Sequence, residues 1–155
     1  MLLQARVNEL NRLFTDDLAN GTEKKITGKW DCKLPETIIG DYFIIPLTSS
    51  KLLKSEAYWM SNCCSSYTRS CADLEYCIFS IRSRSGERLA TLGLISDQGY
   101  WHFDQCYGPA NSEVLEESLE TIDDEGGPHT EYWATELYYI AHEVVRLMNS
   151  EGDCH

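Results

Sequence analysis

Basic residues nearly vanish from the last third of this 155-residue chain. Residues 100–155 hold Arg146 alone against 13 Asp and Glu, while residues 1–99 balance 12 Lys and Arg with 12 acids, so the C-terminal third carries the whole net charge of −12. A general nucleic-acid binder needs a basic face for phosphates, and the asymmetry argues against that class. Long apolar runs are also missing: no stretch approaches the ~18 uncharged apolar residues of a membrane span. Met1 to Arg6 has no basic segment followed by an apolar core, which points to a cytoplasmic protein. There is no Gly-rich phosphate loop, no Ser-His-Asp order and no H-E-x-x-H helix.

What is present is enough for a core. Hydrophobic residues make up 43% of the chain and aromatics 11%, above what disordered chains carry. The seven cysteines (Cys32, Cys63, Cys64, Cys71, Cys77, Cys106, Cys154) are odd in number and read as reduced thiols, several of them buried as small hydrophobes.

Periodicity predicts the elements. Leu3, Val7, Leu10, Phe14 and Leu18 form a helical stripe that Asn20-Gly21 ends. Residues 22–41 read as an irregular connector. Tyr42–Leu47 is a strand that Pro46 confines to an edge or an end. Ser49 or Ser50 caps a helix through Leu52, Leu53 and Ala57, and helical or turn structure continues to about Asp73. Tyr76–Arg82, Leu89–Ile95 and Tyr100–Tyr107, separated by tight turns, make an antiparallel meander. Gly108-Pro109 breaks it. Ser112–Ile122 is expected as a helix with an acidic outer face. A last helix follows with Trp133, Leu137, Ile140, Val144 and Leu147 on one side. The expected fold is one α+β domain over 1–155: a three- to four-stranded antiparallel meander, with N- and C-terminal helices covering one face. Its parts are an N-terminal helix (1–20), an α/β centre (42–111) and acidic C-terminal helices (112–150).

Four pieces carry a family likeness. They are Met60-Ser61-Asn62-Cys63 with Tyr67, then Ile78–Arg82, then Ala90-Thr91-Leu92, then Trp101–Gln105 with Gly108 and Asn111. Together, over roughly 55–112, the chain resembles the PcfJ-like proteins of plasmids and phages. The resemblance implies origin on a mobile element and no defined chemistry. Where that family's pattern has His, Glu and Arg, this chain has Asn62, Gly93 and Tyr107.

Three groups of residues are candidate sites. A polar cluster gathers Asn62, Cys63, Tyr67, Ser80, Arg82, Thr91, Gln105 and Asn111. Strand alternation puts Tyr76, Ile78, Ser80 and Arg82 on one face, and Trp101, Phe103, Gln105 and Tyr107 together on another. A partly buried Gln105 needs partners, because an unpaired amide costs ~1–3 kcal/mol, so it either braces the helix end at Asn62 or contacts a ligand. Cys63 could be an activated thiol, although a nucleophile also wants a base, and His102 is the one histidine in the meander. Cys63, Cys64, Cys71, His102 and Cys106 match no familiar zinc spacing, so no metal and no cofactor is expected. The third group is the acidic tract Glu113, Glu116, Glu117, Glu120, Asp123, Asp124 and Glu125. It is either a solvated face or a surface for a basic partner.

The leading expectation is a mobile-element interaction protein, with enzymatic activity left open. Its acidic third would bind a protein with a basic, nucleic-acid-handling surface, such as a host-defence complex or transfer machinery, with no direct nucleic-acid or membrane contact. Alternatives are a small enzyme or nucleotide-binding domain built on the polar cluster, and a structural oligomerisation module.

Overall fold

The computed structural model describes residues 28–150, and the predicted N-terminal helix over 1–20 lies outside them. The α+β class holds, but the sheet is larger than expected. Five antiparallel strands stand side by side in chain order: β1 (Thr37–Ile39), β2 (Tyr42–Pro46), β3 (Tyr76–Ser83), β4 (Arg88–Asp97) and β5 (Tyr100–Tyr107). The extra strand β1 falls in the supposed connector; its three residues pair with β2 around Gly40, which takes φ +58° in the tight turn. Pro46 ends β2, as its missing N–H requires.

Between β2 and β3 the chain leaves the sheet through α1 (Ser50–Met60), a 3-10 turn at Cys64–Tyr67 and the short α2 (Thr68–Ala72). Ser49 caps α1, its Oγ accepting the Leu52 N–H at 3.1 Å. Ser61 closes the helix in the left-handed region, with φ 52°. The chain then makes a strand–turn–strand excursion before α3 (Glu136–Met148).

The helices cover both faces of the sheet, not one. On the first face Leu53, Ala57, Cys64 and Cys71 pack on Leu47, Tyr76 and Ile78. On the second, Ile140, Ala141, Val144 and Met148 of α3 pack on Ile44, Cys77, Phe79, Ile81, Leu92 and Leu94. Each fully buried Leu, Ile or Phe contributes roughly 1.5–3 kcal/mol through area removed from water. Two apolar faces explain why β3 is buried at six successive positions instead of alternating. Trp133, placed by periodicity at the head of the last helix, lies in a strand instead, and the stripe begins at Leu137. At its far end, the Asn149 amide holds the outer edge of β5: Oδ1 accepts the Trp101 N–H at 2.8 Å and Nδ2 donates to the Trp101 carbonyl at 2.9 Å.

The largest correction concerns residues 112–134. The expected acidic helix is a two-stranded ribbon, β6 (Glu116–Ile122) paired antiparallel with β7 (Pro128–Ala134). Alternation along Glu117, Leu119 and Thr121 and the β-branched pair Thr121-Ile122 suit a strand. Asp123 folds the turn, its Oδ1 accepting the N–H of Glu125 at 2.9 Å and of Gly127 at 2.7 Å, while Gly126 takes φ +85°. Thr135 pins the base of the ribbon through its N–H to the Leu115 carbonyl and its hydroxyl to the Val114 carbonyl. Among the described residues no helix is long and apolar enough to cross a membrane.

Candidate functional site

The polar residues spread over the meander and the first helices meet in a cavity of about 240 Å³ on the sheet face that carries α1 and α2. Helix end and 3-10 turn supply Asn62, Cys63 and Tyr67; strands supply Tyr76, Thr91 and Gln105; the turn after β5 supplies Asn111. All but Tyr76 were in the predicted cluster. Ser80 and Arg82 lie on the same sheet face but do not line the cavity: Arg82 Nε donates to the fully buried Ser80 Oγ at 3.0 Å. Burial, and then the like charge of Arg88, pushes the Arg82 guanidinium below its ordinary pKa.

Gln105 reaches this cavity because β5 slips by one residue. Gly93 pairs with Gln105 but the next residue, Leu94, pairs with Phe103, leaving Asp104 as a bulge. Trp101 and Phe103 therefore face α3, where Phe103 stacks on His142 at 5.1 Å, whereas Gln105 faces the opposite helices. The expected common face for Trp101, Phe103, Gln105 and Tyr107 is thus split. His102, the one histidine of the meander, does not line the cavity with Cys63.

A hydrogen-bonded chain orders the aromatic wall. Tyr67 and Tyr76 stack with ring centroids 4.5 Å apart and planes 17° from parallel. Tyr76 Oη donates to Asp104 Oδ2 at 2.6 Å, and Gln105 Nε2 donates to Tyr67 Oη at 3.1 Å and to Tyr76 Oη at 3.3 Å. Burial, then the bond to Asp104, holds the Tyr76 phenol well above its ordinary pKa, so it stays protonated. Gln105 thus braces the two tyrosines and not, as expected, the helix end at Asn62. Asn62 is braced separately: its Oδ1 accepts the Cys64 N–H at 3.0 Å and its Nδ2 donates to Thr91 Oγ1 at 3.2 Å.

Behind Thr91 lies a residue that the sequence reading missed. Glu56 is 0% exposed and takes the Thr91 hydroxyl at 2.7 Å and Arg88 Nε at 2.9 Å. Its signal was available: Leu53, Glu56, Ala57 and Met60 stand at the i, i+3, i+4, i+7 spacing of one buried face.

Two thiols meet: Cys32 and Cys77 share a side-chain hydrogen bond, with Cys71 near both. Cys64 and Cys71 sit under the first face, Cys77 and Cys106 under the second, and Cys63 is exposed. Burial pushes the Cys71 and Cys106 thiols up to about 12 and raises Cys64 further, with Glu56 adding to it. These are packing cysteines, kept as thiols.

The acidic residues project from the ribbon. Every residue of β6 is exposed, and so are Asp123, Asp124 and Glu125 in the turn. Strand geometry divides them: Glu116 and Glu120 point to one side, Glu117 and the unforeseen Glu131 to the other. Glu113 precedes the ribbon and is used locally, Oε2 accepting the Leu115 and Glu116 N–H groups. Exposed Leu119, Ile122, Tyr132 and Trp133 alternate with these acids.

Compared with protein-family models, curated proteins and solved structures, the chain matches none.

Proposed function

We propose that this chain is an interaction protein of a phage or plasmid, and that its β6–β7 ribbon docks on a basic surface of nucleic-acid-handling machinery. A host-defence complex, which it would inhibit, and a transfer apparatus are the two settings that fit. One observation carries the reading: β6 is exposed along its whole length and carries acids on both sides, interleaved with large apolar side chains. Carboxylates steer a basic partner and speed encounter; aromatic side chains supply the affinity once water is expelled. Because the acids face both ways, the complementary surface is a groove that takes the ribbon between two basic walls. The PcfJ-like pieces support the mobile-element origin.

The test is affinity capture from host extract on the full chain and on the triple variant Glu116→Gln, Glu117→Gln, Glu120→Gln. The captured partner is expected to be basic, to be shed steeply as salt rises, and to be lost with the triple variant. A partner retained equally by both would overturn the reading. Trp133→Ala serves as an independent arm, expected to shorten the lifetime of the complex rather than to slow its formation.

A further inference from the structure

The cavity between the Asn62–Tyr67 segment and the sheet has no part in the ribbon's proposed role, and its hydrogen-bond polarity can be worked out. The Asp104 carboxylate only accepts, so the Tyr76 hydroxyl gives it the proton. Tyr76 Oη can then only accept from Gln105, which turns the Gln105 Nε2 toward the tyrosines and Oε1 away from them. Both Nε2 hydrogens are used, the second on Tyr67 Oη. Tyr67 accepts there and keeps its own proton to give. Among the described residues no hydrogen bond reaches Gln105 Oε1 and none takes the Tyr67 proton. The cavity is left with an oriented acceptor and donor side by side, plus the second N–H of Asn62, a residue 7% exposed whose other bonds are spent on Cys64 and Thr91.

We infer that this cavity binds a free nucleobase or nucleoside, with Tyr67 donating to a ring acceptor and Gln105 Oε1 accepting from the neighbouring N–H. Size supports it: about 240 Å³ lies below the ~300–1,000 Å³ typical of sites for drug-sized ligands. Aromatic walls support it, since every base has a face that stacks on tyrosine, and Tyr107 stands 41% exposed at the cavity. The adjacent donor and acceptor match the edge by which flipped and single-stranded bases are read. Charge selects the neutral form of the ligand. Among the described residues no Lys or Arg lines the cavity, Asp104 lies next to it, and the chain carries −12 overall, so none of the described lining offers a phosphate a cation.

The experiment is calorimetric titration of the full chain with uridine, inosine and adenosine. At least one is expected to bind saturably. For that nucleoside, the 5′-monophosphate should bind more weakly; if it is uridine, 3-methyluridine, which lacks the ring N–H, should also be weaker. Tyr67→Phe keeps the ring and removes the proton, and should raise Kd about tenfold, as the loss of one hydrogen bond does. Asn111→Gly, in the exposed turn beside the cavity where φ is +60°, removes the lining amide without backbone strain and gives a second variant if Tyr67→Phe perturbs the fold. It too should weaken binding. The inference is overturned if none of the three nucleosides binds up to millimolar concentration, or if both variants bind like the parent chain. Tighter binding of a short single-stranded oligonucleotide than of its nucleoside would overturn the assignment to a free small molecule.

Discussion

The Tyr76 ring lies across Gly93, so that a Cβ at residue 93 would collide with the Tyr76 hydroxyl and ring. Tyr76 belongs to β3 and Gly93 to β4, yet the phenol passes over the glycine to reach Asp104 and Gln105 on β5. Gly93→Ala is therefore expected to cost about 1–3 kcal/mol through overpacking. Urea denaturation would measure it; an unchanged midpoint would mean that Tyr76 moves aside freely. The same geometry accounts for a glycine at residue 93, since no side chain fits beneath the ring.

Glu56 and Arg88 should behave as a unit. Glu56 is fully buried and Arg88 is 22% exposed. Arg88→Leu leaves a buried charge with its ion partner gone and is expected to destabilise by about 3–5 kcal/mol. The double variant Glu56→Leu, Arg88→Leu should be milder than the sum of the two single changes. A double-mutant cycle in denaturant reads the coupling. Additive losses would show that the pair contributes nothing as a pair.

Alkaline pH should unfold the chain through its buried thiols. Cys71 and Cys106 are held up to about 12 in the folded state, against roughly 8.5 in an unfolded chain. Above the unfolded value the unfolded state binds fewer protons than the folded one, so stability falls as pH rises. The contribution is whole below the ordinary thiol range and drains away toward pH 12. Tyr42, held up to about 12 by its bond to Glu136, acts in the same direction. Denaturation midpoints at several alkaline pH values should decline, with a shallower decline in Cys106→Ala. An equal decline in that variant would remove Cys106 as a contributor.

Asp123 should matter only to the ribbon. Asp123→Ala removes two acceptor contacts worth roughly 0.5–1.5 kcal/mol each. Amide exchange in residues 116–134 is expected to quicken while exchange in the five-stranded sheet does not change. Faster exchange in both would make the ribbon part of the same cooperative unit.

Much of the sheet was legible from residue order. Tight turns at Ser85-Gly86 and Gln98-Gly99 separate three segments of strand composition, and Ser49 stands where a helix needs its cap. The ribbon was not legible because Glu113 to Glu120 has the composition of a helix, and a strand with neither face buried leaves only weak alternation to read. Gly126-Gly127 was the hairpin signal. Within the site, Asn62, Cys63, Tyr67, Thr91, Gln105 and Asn111 were found as types in sequence and do converge. The face of Gln105 was misread because a single bulged residue inverts all alternation beyond it, and no residue type announces a bulge at Asp104. Arg82 was included on its face alone, although Ser80 takes its Nε–H outside the cavity.

The amide of Asn149 occupies the place that a sixth strand would take. It offers Trp101 the same acceptor and donor, at 2.8 and 2.9 Å, that a neighbouring backbone would offer. A second molecule approaching this border finds the rung at Trp101 already filled. One side chain at the end of a helix thereby blunts this part of the sheet's open margin against further strand pairing.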